Sequence, residues 1–357
     1  MLNFTVGPVM SDEQVLEISS HSAPYFRTPE FSKIMLENEA GMLKLMKAPE
    51  GSRCVFLTAS GTGAMEAIVM HVLNENDKVL VVNGGSFGQR FVDLCKMHNR
   101  AITEIKVPFG CQLRREQLEE YRGKQYTALL VNMHETSSGV LYDMPMIAGF
   151  CKEQGIALLV DAISAFIADE VLMDEWNITA VITGSQKALA VHPGVSVVVL
   201  SPDAVKRVEE NSELCMYLSL KSALKNAERG QTPFTPAVTT LLQIHTRLRE
   251  MEEDGGIEKE RAIIKKRAAV FRESISDLPL SIISESCSNA VTALHPLKNN
   301  AKEIVQHLKE DYQIWVCPNG GEKADEVFRV GHFGCISEKD NRTLIDALHD
   351  LNHRKIL

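Results

Sequence analysis

Six short runs along the chain are almost continuously apolar: residues 54–58, 78–82, 128–132, 157–161, 180–183 and 195–200. Strands that lack polar alternation are covered on both faces, which is the pattern of a parallel sheet packed between helices. Helix-length stretches, such as residues 63–73 and 88–98, separate most of these runs. The β-then-α rhythm predicts an α/β fold: a large domain with a mainly parallel central sheet sandwiched by helices and right-handed crossovers. After about Ser201 the rhythm changes. Long helical patterns cover residues 236–251 and 257–278, with Gly255-Gly256 as a break between them. The last hundred or so residues carry a weaker pattern of strands and helices, read as a smaller C-terminal α+β domain. The expected division is an N-terminal arm over residues 1–15, a large domain over 16–255 and a small domain over 256–357.

A length of 357 residues fits this two-domain reading. A net charge of -9 speaks against nucleic acid or an anionic membrane surface as partner, because both are bound through basic patches. Neither a signal-peptide pattern nor an apolar run long enough to span a bilayer occurs, so the cytoplasm is the expected compartment. The eight cysteines are scattered without a CxxC pair and read as free thiols, and no metal site is expected.

Chemistry concentrates where the apolar runs end. Lys187 follows one such run in Thr183-Gly-Ser-Gln-Lys187. A lysine there either reaches solvent or is held in apolar surroundings, where its amine loses basicity and becomes a nucleophile or Schiff-base former. Asp161 closes Leu158-Leu-Val-Asp161 at the end of its strand. It could cap the next helix, or face a cationic ligand beyond the carboxyl edge of the sheet. In Thr58-Ala-Ser60-Gly61-Thr62-Gly63, small residues between a strand and a helix suit an anion such as phosphate, with Ser60 and Thr62 adding hydroxyls. Phe87, among glycines, is free either to enter the core or to stack on a flat ring. Thr136 and Ser137 follow a further strand and supply hydroxyls. Arg329, in Phe328-Arg-Val-Gly331, is either a surface ion-pair partner or a two-pronged clamp for a carboxylate.

Taken in order, Ser60-Gly-Thr-Gly-Ala-Met-Glu-Ala67, Gly84-Gly-Ser-Phe-Gly-Gln-Arg90, His134-Glu-Thr-Ser-Ser-Gly139, Val160-Asp-Ala-Ile-Ser164, Gly184-Ser-Gln-Lys-Ala-Leu189 and Phe328-Arg-Val-Gly331 resemble the class V aminotransferases of the fold-type I pyridoxal-phosphate (PLP) enzymes. The resemblance runs from Val6-Gly7-Pro8 to Arg329, and the alanine–glyoxylate, serine–pyruvate and 2-aminoethylphosphonate–pyruvate enzymes look closest. It implies PLP as cofactor, held covalently by Lys187, which would also shuttle the proton. Asp161 would pair with the pyridine nitrogen and Phe87 would stack on the ring, with Ile163 beside it. Ser60, Gly61, Thr62 and Gln186 would bind the phosphate, and Thr136 or Ser137 would approach the phenolic oxygen. Arg329 would take the substrate carboxylate, with Gly7 nearby. Thr235 would reach the phosphate of a neighbouring subunit, which implies a homodimer with shared sites. The implied reaction is a ping-pong transfer from alanine, serine, aspartate or 2-aminoethylphosphonate to pyruvate or glyoxylate.

Two segments depart from the resemblance. Many relatives carry a His-Arg pair near the N-terminus, whereas this chain reads Pro24-Tyr25-Phe26-Arg27. The polar segment Asn319–Asp325 before Arg329 matches no donor preference. A cysteine desulfurase or lyase on the same scaffold would call on Cys317 or Cys335, which flank Arg329. A non-catalytic PLP-binding protein is the remaining alternative.

Overall fold

The computed structural model describes every residue from Met1 to Leu357. Its strands in chain order are β1 (Leu2–Phe4), β2 (Arg53–Leu57), β3 (Lys78–Asn83), β4 (Ala101–Lys106), β5 (Ala128–Asn132), β6 (His134–Glu135), β7 (Val140–Leu141), β8 (Ala157–Asp161), β9 (Ile178–Gly184), β10 (Ser196–Leu200), β11 (Leu280–Ile282), β12 (Val291–Pro296), β13 (Ile314–Pro318) and β14 (Phe328–Gly331). The first four helices are α1 (Glu13–Ile18), α2 (Pro29–Leu45), α3 (Gly61–His71) and α4 (Ser86–Met97).

Seven strands form the large sheet in the order β2-β10-β9-β8-β5-β3-β4. Only β10 runs antiparallel, pairing in that sense with both β2 and β9. Alternate residues of the buried strands feed two separate cores: Leu129 and Val131 of β5 enter one, Ala128 and Leu130 the other. Such two-sided burial is what the unbroken apolar runs predict. β4, Ala101-Ile-Thr-Glu-Ile-Lys106, is the half-exposed edge strand, and its mixed composition hides it among the polar stretches.

A second sheet, in the order β1-β13-β14-β12-β11, carries its own core with the helices over Gly256–Ser274, Ala301–Tyr312 and Glu338–His353. The N-terminal strand lies parallel to β13, so the first residues of the chain build the edge of the C-terminal sheet. From there the arm crosses back over the large domain, which is how Val6 and Gly7 come to touch Lys187. The long helices over Val238–Glu253 and Gly256–Ser274 meet at Gly255, whose φ of 106° suits glycine.

Candidate active site

The parallel register of the central strands gathers the polar residues at one edge. β5 and β8 carry nearly the same sequence, Ala-Leu-Leu-Val-Asn and Ala-Leu-Leu-Val-Asp, and their pairing sets Asn132 beside Asp161. Asn132 Nδ2 donates to Asp161 Oδ2 at 2.6 Å, and the Ile163 amide donates to Oδ1 at 2.8 Å. The carboxylate is 6 % exposed and no cation pairs with it; burial pushes its pKa up to about 6, against the pull of those two donors.

Lys187 follows β9 and is 9 % exposed, with its ammonium bonded to the Val6 carbonyl. Burial brings its pKa down to about 8, helped by the Arg329 charge. Gly7 makes room for it: a Cβ there would sit 2.9 Å from Lys187 Cδ, and its φ of 113° lies where side chains are strained.

α3 opens at Ser60, an exposed N-cap whose side chain caps nothing. Gly61 lets Ile163 lie against the start of that helix, since a Cβ would fall 2.3 Å from Ile163 Cδ1. Thr62 Oγ1 accepts from Arg90 Nη1 at 3.0 Å, and the same guanidinium lies 4.8 Å from the centre of the Phe87 ring. Phe87 and Gln186 are half-buried. Thr136 is buried, with Oγ1 2.7 Å from Ser164 Oγ. The Ser137 hydroxyl turns instead to Glu135, whose carboxylate also accepts the Gly88 amide at 3.0 Å and so caps α4.

Arg329 is 8 % exposed on β14. Its Nη2 donates to the Pro318 carbonyl at 2.9 Å and to Cys317 Sγ at 3.1 Å, its Nη1 to the Thr136 carbonyl at 3.3 Å, and its Nε is buried without a partner. It makes no carboxylate pair, so it is not a surface ion-pair arginine. Cys317 lies within a strand, held by that guanidinium, and Cys335 is exposed elsewhere. Asn319 is tied to the Ser137 carbonyl at 3.1 Å, anchoring the start of the unmatched polar segment. Arg27 is spent on the loop before Thr235, donating to the Thr232 carbonyl at 2.8 Å and the Pro233 carbonyl at 3.2 Å. Thr235 itself is exposed, in a cavity it shares with Thr58. Nowhere do three His, Cys, Asp or Glu side chains converge as a metal ion would require.

Arg90, Asn132 and Glu135 are the residues that motif reading passes over. Asn132 had a visible signal, the repeated strand sequence whose last position alone differs. Arg90 and Glu135 stand within quoted motifs, but their direction depends on how α4 packs.

This arrangement fits pyridoxal phosphate on its own terms. Lys187 and Asp161 are both buried and neither pairs with the other, so an amine-reactive carbonyl and a cationic ring nitrogen would satisfy both. The uncapped start of α3 suits the phosphate. The model for the family described as "Aminotransferase class-V" matches residues 14–329. A soluble hydrogenase small subunit from Synechococcus sp. (strain PCC 6716) is 31% identical over 96% of this chain and 90% of its own length. The L-aspartate–glyoxylate aminotransferase of Paracoccus denitrificans is 26% identical over 94% of this chain and 87% of its own. The crystal structure of a subgroup IV aspartate aminotransferase from Thermus thermophilus shares the fold, with a TM-score of 0.92 and 24% identity over 99% of both chains. With the motifs in family order and the family model spanning both domains, the chain belongs to the aminotransferase class-V family, the fold-type I transaminases that depend on pyridoxal phosphate.

Proposed function

We propose that this aminotransferase moves the amino group of a small donor to pyruvate or glyoxylate by a ping-pong reaction. Alanine, serine, aspartate and 2-aminoethylphosphonate are the donors to test; the Paracoccus relative, named for aspartate and glyoxylate, supports that size class. What carries the reading is one buried amine and one buried carboxylate that do not neutralise each other.

Bound there, pyridoxal phosphate supplies the electron sink for the donor's α-carbon. Asp161 faces the ring nitrogen, and Asn132 and the Ile163 amide keep its carboxylate charged. Lys187, with an amine near pKa 8, would hold the cofactor and, once freed, carry the proton lost from the donor's α-carbon, a task worth roughly 10²- to 10⁴-fold. The α3 start with Gly61 and Thr62, together with Ser60 and Gln186, binds the phosphate. Phe87 and Ile163 would flank the ring, and Thr136, since Ser137 is turned to Glu135, would meet its phenolic oxygen. Arg329, beside Gly7 and Lys187, clamps the substrate carboxylate. Thr235, exposed to solvent, serves the phosphate site of a partner copy, so the working unit is a homodimer. We take the domain division at Gly255-Gly256, with the arm docked on the small domain, and the cytoplasm as the compartment. No helix is long and apolar enough to cross a membrane.

The test is a panel of amino donors against pyruvate and glyoxylate, following keto-acid release. Borohydride reduction and peptide mapping accompany it and should place the pyridoxyl group on Lys187; finding it on another lysine overturns the assignment. A monomeric mass at full activity would remove the role given to Thr235.

A further inference from the structure

We propose that His134, Ser164 and Thr136 form a one-way hydrogen-bond relay, in which the tautomer of His134 fixes the Thr136 hydroxyl as a donor into the active site. All three side chains are buried. His134 Nδ1 lies 2.9 Å from Ser164 Oγ, and Ser164 Oγ lies 2.7 Å from Thr136 Oγ1. Thr136 makes no other side-chain hydrogen bond, and its carbonyl touches Arg329 at 3.3 Å.

The direction follows from where hydrogens can go. His134 is 2 % exposed. The charges facing it are Lys187 after β9, Arg272 on the Gly256–Ser274 helix and Arg329 on β14, all cationic. Burial and those cations push its pKa down to about 3, so the ring is neutral and carries one N–H. Nε2 is buried without a partner. A buried N–H with no acceptor is disfavoured over an unused lone pair, so the proton belongs on Nδ1 and is donated to Ser164 Oγ. Ser164 then donates to Thr136 Oγ1 at 2.7 Å, a much shorter path than back to the His134 carbonyl at 3.4 Å. Thr136 has thereby accepted, and its own hydrogen is the one in the chain left without a protein acceptor. The other tautomer reverses every link and leaves Thr136 offering a lone pair. Ring tautomer and the polarity of a hydroxyl next to Arg329 are therefore one variable.

The consequence rests on the reading above that Thr136 meets the cofactor's phenolic oxygen. A donor there favours the charged form of that oxygen. Losing the donor lets the bound cofactor keep its proton to higher pH, so the midpoint of the holoenzyme's visible band rises. Asp161 and Arg90 also face Lys187 and stay in place in every variant below.

The experiment is a spectral pH titration of holoenzyme for Thr136→Val, His134→Phe, Ser164→Ala and the His134→Phe/Thr136→Val pair. Thr136→Val should raise the midpoint by about half a pH unit or more, as loss of a hydrogen bond to a charged form does, while His134→Phe and Ser164→Ala keep the hydroxyl but no longer fix its direction and should raise the midpoint by a smaller, measurable amount. The double variant should move no further than Thr136→Val, because the relay acts only through the Thr136 hydroxyl. If Thr136→Val leaves the midpoint where it is, Thr136 does not face the oxygen, and the relay falls with that placement. If Thr136→Val shifts it and the other two single changes do not, the relay alone falls. Additive shifts overturn it as well. Nitrogen-15 NMR of histidine-labelled wild-type holoenzyme needs no substitution: the proton should be found on Nδ1 of His134, and a proton on Nε2 refutes the relay.

Discussion

Asp161 ends β8 and Asp169 follows on the same stretch of chain; both are buried, yet they are satisfied differently. Asp169 accepts from Ser288 Oγ, from the Asn289 amide at 3.0 Å and from Asn289 Nδ2 at 3.0 Å, which ties the large domain to the segment before β12. Arg272 completes that seam, donating to Thr292 Oγ1 at 2.9 Å and to the Ser288 carbonyl. Asp161 has two donors and no cation, although Lys187 is close enough for its charge to be felt. Comparable burial with unequal satisfaction separates a carboxylate that holds the fold from one that awaits a ligand. Burial pushes both carboxylates up; at the seam Asn289, Ser288 and the nearby Arg272 and Arg261 charges oppose it, whereas the active site bears a standing cost that a bound cofactor would remove.

The largest effect comes from exchanging the two aspartates. Asp169→Ala strands two polar side chains and an amide, each bond to a charged group being worth roughly 1.5–3 kcal/mol. It should lower the apoprotein's melting temperature by about 5 °C or more while leaving residual activity in the folded fraction. Asp161→Asn should do the reverse. The Asn132 amide can flip, because its Oδ1 has no partner, and receive the new NH₂. The apoprotein should then melt at the wild-type temperature or above it, while amino transfer falls roughly 10²-fold, equivalent to about 2.7 kcal/mol. Calorimetry and a half-reaction assay on both variants decide this; a destabilised Asp161→Asn apoprotein would erase the contrast.

The same comparison can be drawn out with pH. Asp161 has a raised folded pKa, about 6, so its contribution to stability is present below the ordinary carboxylate range and lost as pH rises through about 6. Lys187 has a depressed pKa, about 8, so its contribution is present above the ordinary lysine range and lost as pH falls through about 8. The apoprotein thus carries both buried charges between about pH 6 and 8. The gap in melting temperature between holo and apo forms should be widest in that window. Melting of the apo Lys187→Ala/Asp161→Asn variant should vary less with pH on both flanks of that window, between the ordinary carboxylate value of 3.8 and about 6 and between about 8 and the ordinary lysine value of 10.5; an unchanged profile would mean neither group bears the cost.

Much of this was legible beforehand, for physical reasons that differ by region. Strands such as β5 and β8 are read to the residue because burial on both faces leaves only apolar side chains. Lys187 and Asp161 stand out because charge ends those runs. β1 could not be read: three residues at the chain start form a strand only through pairing with β13, more than three hundred positions away. The direction of Ser137, toward Glu135 rather than outward, and the employment of Arg27 on the Thr232–Pro233 backbone were equally invisible. Those depend on packing between segments, which no local pattern encodes.

Arg329 offers a smaller, more selective probe. Its guanidinium is buried with an unused Nε and three acceptors of modest strength, so it remains able to bind a carboxylate. Arg329→Ala should leave the cofactor spectrum intact and lower kcat/KM for carboxylate substrates about tenfold to a hundredfold, the worth of a charge-assisted two-pronged pair. Arg329→Lys should recover only part of it, because a point charge does not reproduce the planar fork. Wild-type kcat/KM in Arg329→Ala, with every accepted substrate, would place the carboxylate elsewhere.

The smallest expected effect is also the one that guards the reaction type. Cys317 touches Arg329 at 3.1 Å, the position from which a thiol would act if this scaffold removed sulfur instead of moving an amino group. It sits inside β13, whose pairing with β14 sets Cys317 opposite Arg329 itself, so it has no freedom to swing toward a substrate. Its sulfur is one weak acceptor beside the Pro318 carbonyl at 2.9 Å, which keeps the same Nη2 in place. Cys317→Ala should therefore shift KM for the amino donor less than about threefold, a few tenths of a kcal/mol to 0.65 kcal/mol at most, with kcat unchanged. Cysteine offered as substrate should yield no more sulfide with Cys317 than without it. A loss of kcat beyond about tenfold, with Arg329 and the cofactor spectrum intact, would show the thiol in the chemistry and turn the assignment from transamination toward sulfur removal.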